Sequence, residues 1–276
     1  VDTAASYGQG RSEEALGWLL AQHEHLHVST KFSIDTRDLS DIAGQIEASL
    51  TASLERLNRS SVTLLQLHNQ LGAETRGRMI AADEVLKTAG VIDALERLRE
   101  QRLIEHFGIT ALGETPSILR VIESGRIASA QVYYNLLNPS AGWSMPPSWP
   151  VYDFGGVLDA CERHGVAAMN IRVFSAGVIA TDARTGKERP LTAGDTVESE
   201  AEKARVVFEA LGDRYGSRAQ TAIRFALAEP RLSCVVFGLA EMAHLEEALA
   251  AESAGQLPQE ARDELQAIYA GGGPTR

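Results

Sequence analysis

The sequence predicts a parallel (β/α)8 barrel of the TIM type, and three observations carry that reading. Short apolar, β-branched runs alternate with amphipathic helices from one end of the chain to the other. No Gly-x-Gly-x-x-Gly follows a strand, which weighs against the doubly wound dinucleotide-binding alternative. No low-complexity linker breaks the 276 residues, so they read as one domain, 1–276.

Strands are expected at Leu26–Phe32, Val62–Leu67, Ile104–Ile109, Ile127–Tyr134, Val166–Ile171 and Leu232–Phe237. Several are almost continuously apolar, as strands buried on both faces should be. Between them, helices are expected at Ser12–Gln22, Asp41–Leu57, Val91–Gln101, Thr115–Glu123, Phe154–His164, Glu200–Leu211, Arg218–Leu227 and Met242–Ala251. In the Asp41 helix, Ile42, Ile46, Leu50 and Leu54 recur every four residues and form a stripe able to lie on a sheet. Gly125 and Gly165 stand just past helix ends, where a left-handed residue turns the chain into the next strand. A complete barrel has eight strands. The run before Leu26 supplies only the tail of a further one. The long connections Asn69–Gly90 and Asn138–Pro150 are expected to shape a site at the C-terminal ends of the strands, with Trp143 and Trp149 read equally as pocket-lining or rim-covering.

Composition narrows the function. Hydrophobic residues make up 44% and charged residues 23%, the balance of a globular protein with a sizeable core. A net charge of -11 argues against nucleic-acid binding through a broad basic face. No apolar run is long enough to span a bilayer, so no membrane partner and a cytoplasmic location are expected. Cys161 and Cys234 fit neither a disulfide framework nor a metal spacing, and both are expected to be reduced, mostly buried thiols. Among His23, His25 and His27, alternate residues share a strand face. They begin a strand on the side away from the expected site, so they read as solvated surface residues and no metal is expected. Arg97, Arg99 and Arg102 alternate with Glu96, Glu100 and Glu105, which reads as a solvated helix face.

Four polar residues fall at or just beyond predicted strand ends: Asp2, Tyr7, Lys31 and His68. Their types suit proton transfer. A tyrosine hydroxyl is a weak proton donor near neutrality, but a lysine cation about 4 Å away, at an effective dielectric of about 20, favours phenolate by about 4 kcal/mol. Asp2 would hold Lys31 charged, and His68 would orient a substrate oxygen. Singly, each has an ordinary structural explanation; as an ordered set on successive strand ends they point to one site.

The run Asp2-Thr3-Ala4-Ala5-Ser6-Tyr7-Gly8, followed by Ser12-Glu13 and Leu16-Gly17, resembles the signature of the aldo-keto reductases. Ser29-Thr30-Lys31 and Leu65-Gln66-Leu67-His68 are similar to that family's strand-end lysine and histidine segments. The likeness continues through Gly108-Ile109-Thr110, Gln131-Val132-Tyr133-Tyr134-Asn135 and Val235-Val236-Phe237-Gly238. The text around Phe107–Gly113 and Asn170-Ile171-Arg172 looks more like bacterial sugar or aldose dehydrogenase branches.

The resemblance implies a nicotinamide-dependent oxidoreductase acting on a small aldehyde, ketone or aldose, with Asp2, Tyr7, Lys31 and His68 as its catalytic set. It also implies that the barrel's first strand and most of the second would lie upstream of Val1. Cofactor contacts carry over to Thr110 and Gln131 for the carboxamide, with Ala111 where an Asn is usual. Ile171, Arg172, Phe174 and Gly177 fall on the stacking and pyrophosphate loop; Gly238, His244 and Glu247 fall on the adenosine segment. Gly238 and His244 stand where NADP-preferring relatives carry cations, so the expected cofactor is NAD or NADP with a lean to NAD or dual use. Two rivals use the same barrel: a non-catalytic nucleotide-sensing subunit, and an aldolase with Lys31 as Schiff-base amine.

Overall fold

The computed structural model describes residues 1–23, 25–186, 188–190 and 194–274. Among the described residues the strands are β1 (Ser29–Phe32), β2 (Val62–Leu67), β3 (Gln70–Gly72), β4 (Met79–Ala81), β5 (Ile104–Ala111), β6 (Ser129–Tyr133), β7 (Ala167–Ile171) and β8 (Leu232–Val235). The helices are α1 (Arg11–Leu20), α2 (Ile42–Leu57), α3 (Ala82–Leu86), α4 (Val91–Glu100), α5 (Thr115–Glu123), α6 (Val157–His164), α7 (Val197–Leu211), α8 (Arg218–Leu227), α9 (Met242–Ala254) and α10 (Gln259–Ala270). Hydrogen bonding orders the longer strands β1-β2-β5-β6-β7-β8, while β3 and β4 pair separately. Chain order and sheet order coincide, as repeated strand–helix units require.

Contacts divide the chain into two compact units, residues 1–131 with 160–167, and 132–159 with 168–276. In the first, β1 pairs with β2 and β2 with β5, all parallel. The apolar stripe of α2 is buried at Ile42, Ile46, Leu50 and Leu57. Asp41 caps that helix by accepting the Gly44 N–H at 2.8 Å. Helix α1 lies so close to α2 that a Cβ on Gly17 would meet the Arg56 carbonyl oxygen at 2.3 Å. Gly108 plays a similar part on β5, where a Cβ would stand 2.2 Å from the Ser129 oxygen.

The second unit holds β7 paired with β8, and α7 to α10. Capping boxes start α7 at Thr196 and α8 at Ser217, each satisfying two helix-end donors. Tyr134 stacks on Phe225 at 5.0 Å, and Tyr269 donates its hydroxyl to the Leu136 carbonyl at 2.7 Å. Trp143 and Trp149 both pack edge-on against Tyr269, at 5.5 and 5.8 Å, so they belong to this aromatic cluster.

Several expectations change in detail. Strand β1 starts at Ser29 rather than Leu26, because the Leu26 N–H closes a turn onto the His23 carbonyl. Helix α6 starts at Val157, after a turn in which the Val157 N–H bonds the Phe154 carbonyl. The connection from Asn69 to Gly90 contains β3, β4 and α3. Cys161 is buried as expected, but Cys234 is exposed, since β8 pairs with β7 along one edge and presents Ser233 and Cys234 to solvent. The rings of His23 and His25 meet edge-on at 6.0 Å. Among the described residues, no group of three or more His, Cys, Asp or Glu is arranged to hold a metal, and no helix is long and apolar enough to cross a membrane.

Candidate active site

Parallel pairing delivers the first group of side chains. Lys31 lies opposite Gln66 and Phe32 opposite Leu67, and the His68 N–H continues the ladder onto the Phe32 carbonyl at 2.8 Å. Asp2 forms a parallel bridge with Ser29, which carries the ladder one chain further. Side chains alternate along a strand, so Ser29 and Lys31, Gln66 and His68, and Ser129 and Gln131 each share a face.

Asp2 is where these faces converge. Its Oδ2 accepts from Lys31 Nζ at 2.6 Å, and its Oδ1 accepts from Ser29 Oγ and Gln131 Nε2, both at 2.9 Å. The Lys31 side chain is 1% exposed and also donates to the Thr3 carbonyl at 2.7 Å. A carboxylate and a carbonyl thus accept from two of the three donors of the buried ammonium.

Tyr7 sits in the 3-10 turn Tyr7–Gly10 that runs into α1. Its ring centroid is 4.9 Å from Lys31 Nζ and 5.9 Å from the His68 ring, which it meets edge-on. Unlike Lys31 it remains 43% exposed, so a small molecule can reach it. Burial lowers the His68 pKa to about 4, helped by the positive charges of Lys31 and Arg78 and opposed by Asp2. At neutral pH the imidazole is therefore uncharged and able to donate or accept one hydrogen bond at each nitrogen.

A second polar cluster braces the turn. Glu13, fully buried two residues into α1, accepts from Arg56 Nε at 2.7 Å and from Thr30 Oγ1 at 2.5 Å. Thr30 precedes Lys31, so one carboxylate links the helix that follows Tyr7 to the strand that carries Lys31. In the sequence, Glu13 and Ser29 stand only as members of motifs, and Arg56 carries no signal of its own; the alternation of Ser29 with Lys31 on β1 is what marks Ser29 for the site.

On β5, Thr110 is buried, and among the described residues its hydroxyl oxygen has no hydrogen-bond partner. An orphaned buried polar atom costs about 1–3 kcal/mol and calls for a partner.

The remaining predicted residues lie in the second unit. Arg172 adopts φ 62°, and beyond Phe174 at -102° a short left-handed run follows at Ser175 (44°), Ala176 (57°) and Gly177 (100°). Ser175 donates to the buried Glu200 carboxylate at 2.8 Å, and burial raises the Glu200 pKa. Arg172 Nη1 donates to the Arg189 carbonyl at 3.0 Å, and the Phe174 ring meets Phe237 edge-on at 5.7 Å. Ile171 ends β7, beside Asn170, whose buried Oδ1 has no partner among the described residues. His244 Nδ1 accepts the Ala240 N–H at 3.3 Å, Glu247 accepts from the Ser217 hydroxyl, and the space around Gly238 is open.

Strand-end Asp, Lys and His residues thus meet a neighbouring Tyr on a sheet of parallel strands alternating with helices. The profile of the Aldo/keto reductase family matches residues 1–270, and the chain belongs to that family. Its fold is accordingly the α/β class, a (β/α)8 barrel. It is 25% identical over 284 residues to an uncharacterized oxidoreductase, YqkF, of Bacillus subtilis strain 168, a match covering 96% of this chain and 81% of the relative. Among solved structures, it resembles the holo form of the aldo-keto reductase AKR11C1 from Bacillus halodurans, with a TM-score of 0.71, 22% identity, and 96% and 80% of the two chains covered. A Klebsiella pneumoniae aldo/keto reductase in complex with NADP and acetate matches with a TM-score of 0.66 and 18% identity, over 100% of this chain and 81% of that one.

Proposed function

We propose that the chain interconverts a carbonyl and an alcohol on a small aldehyde, ketone or aldose, with a nicotinamide cofactor and Tyr7 as the proton donor and acceptor. The observation that carries this reading is the exposed Tyr7 beside a buried, carboxylate-held lysine cation, with an uncharged imidazole facing the same ring. In reduction, the Tyr7 hydroxyl gives its proton to the substrate oxygen; in oxidation, the tyrosine takes it back. The Lys31 ammonium stabilises negative charge on the tyrosine oxygen, and Asp2 fixes that ammonium in place. Neutral His68 hydrogen-bonds the substrate oxygen and orients it without adding charge.

In the first unit, the buried Thr110 hydroxyl suits the carboxamide of a nicotinamide dinucleotide. Bound, that cofactor supplies or accepts a hydride at the reacting carbon. Thr110, with its unpartnered hydroxyl, and Gln131, whose nitrogen is taken by Asp2 and whose oxygen can accept an N–H, would hold the carboxamide. Ile171, Arg172, Phe174 and Gly177 would hold the ring face and pyrophosphate, and Gly238, His244 and Glu247 the adenosine end. Open space at Gly238 and the carboxylate of Glu247 offer little countercharge for a 2′-phosphate, which favours NAD or dual use.

Lys31 as an aldolase amine is disfavoured, because an ammonium donating to Asp2 and Thr3 has no lone pair to attack a carbonyl. The testing experiment is fluorescence titration with NADH and NADPH, followed by absorbance at the nicotinamide band against aldehydes, aldoses and sugar alcohols. Binding with turnover is expected. Binding without turnover would favour the sensing subunit, and no binding of either nucleotide would overturn the reading.

A further inference from the structure

We propose that Arg78 anchors an anionic group, a carboxylate or a phosphate ester, carried by the carbonyl substrate, so that acidic aldehydes and ketones are preferred over neutral ones of the same length. The inference rests on the carbonyl chemistry proposed above and adds a substrate class to it.

Arg78 is placed by the residue next to His68. Asn69 is 5% exposed; its Oδ1 accepts the Ile34 N–H at 2.7 Å, and its Nδ2 donates to the carbonyls of Ile34 at 3.0 Å and Arg78 at 3.1 Å. The backbone of residue 78 is thereby tied back to the end of β2. Arg76 and Met79 exchange both backbone hydrogen bonds, at 3.0 and 2.9 Å, and the Thr36 hydroxyl donates to the Gly77 carbonyl. Four residues therefore form a closed turn pinned at three points, with Arg78 inside it. This is a built position rather than a loose loop tip.

The charges around the turn are unequal. Arg37 is paired with Asp35 at 2.6 Å, and Arg76 with Glu114 at 3.2 Å. Arg78 is exposed, and among the described residues its guanidinium has neither a carboxylate nor a hydrogen-bond acceptor. The tie from Asn69, the residue after His68, sets the Arg78 backbone beside the site, and the positive charge of Arg78 helps to lower the His68 pKa. Lys31 is matched by Asp2 and His68 is neutral, so Arg78 supplies the uncompensated charge there. On a protein of net charge -11, that local cation is what an anionic substrate would need. A guanidinium offers a planar fork of donors that fits two oxygens of a carboxylate or phosphate at once.

The test compares the protein with Arg78→Met and Arg78→Lys on matched pairs: 4-oxobutanoate against butanal, and glyceraldehyde 3-phosphate against glyceraldehyde. The expected result is a lower KM for the anionic member of a pair in the unaltered protein. Arg78→Met should lower kcat/KM for that member by about tenfold to a hundredfold, the range for losing a charge-assisted contact, with the neutral member changed by less than about threefold. Arg78→Lys should restore part of the loss. The pair showing the larger effect identifies carboxylate or phosphate as the source. Equal kinetics for both members, or an equal fall for both in Arg78→Met, would overturn the proposal.

Binding of succinate, followed by the His68 imidazole resonance, needs no turnover. A shift that disappears in Arg78→Met supports the anchor even if no carbonyl compound is reduced, in which case the reductase reading alone fails. No shift in the unaltered protein counts against Arg78.

Discussion

Glu13 and Arg56 form an ion pair in which one partner is far more deeply enclosed than the other: the carboxylate side chain is 0% exposed, the guanidinium 26%, at 2.6 Å. The asymmetry sets which truncation costs more. Arg56→Met leaves the Glu13 charge with the Thr30 hydroxyl as its donor among the described residues, and should lower stability by about 3–5 kcal/mol, the range for breaking a buried pair. Glu13→Ala leaves a guanidinium that still reaches water, and should cost less. Urea denaturation of both variants and of Glu13→Leu/Arg56→Met decides the order; the double variant should recover part of the Arg56→Met loss.

Tyr7→Phe removes one oxygen from a residue that is 43% exposed, so the fold should be unaffected. If Tyr7 moves the proton, kcat falls by about a hundredfold to ten-thousandfold, typical of losing a general acid, while nucleotide affinity stays the same. Lys31→Met should show the same kinetic loss but also a lower melting temperature, because Asp2 loses its cation. Calorimetry beside steady-state kinetics separates the two residues.

His68 gives the stability a pH dependence with a defined sign. Its pKa is about 4 in the folded protein and near the ordinary 6.5 when unfolded, so the unfolded chain takes up the proton first. The stability it contributes is complete above pH 6.5 and is lost as pH falls through 4. Urea midpoints at pH 7.5 and 4.5 should differ less in His68→Gln than in the unaltered protein.

The two thiols should respond oppositely to an aromatic disulfide reagent. Burial pushes the Cys161 pKa up to about 12, which leaves almost no thiolate, whereas Cys234 is exposed on β8. Cys234 should label under native conditions and Cys161 only after unfolding. Rapid labelling of both in the folded state would contradict the burial of α6.

Much of this architecture is legible in the residues themselves. Helix α5 spans Thr115–Glu123 and α8 Arg218–Leu227 as the apolar spacing predicts, because Pro116 fixes the start of one and Ser217 caps the other. Asp2, Lys31 and His68 come together because strand-end positions in adjacent parallel strands are neighbours, and Tyr7 joins them from the turn that leads into α1. Strands β3 and β4 escaped notice for the opposite reason. Three residues each, they carry no period of their own and exist through their pairing, Leu71 with Ile80, which no local pattern records. Helix α10 went unnamed, and its Leu265 and Tyr269 are buried by partners far along the chain. Cys234 was misplaced because an apolar run such as Leu232–Phe237 signals a strand but not how many of its edges are covered.

Ser29 and Gln131 donate to the same oxygen of Asp2, and this shared acceptor has a consequence for how the site will respond to change. An sp² oxygen has two lone pairs, so together the two donors saturate it and stop the carboxylate from turning. Losing either still leaves one restraint on that oxygen; losing both leaves the carboxylate held by Lys31 alone. Effects of Ser29→Ala and Gln131→Leu on turnover should therefore be epistatic, the double variant losing more than the product of the singles. For anyone redesigning the barrel, the two positions are a single unit of choice, and a library that varies them independently will misjudge both.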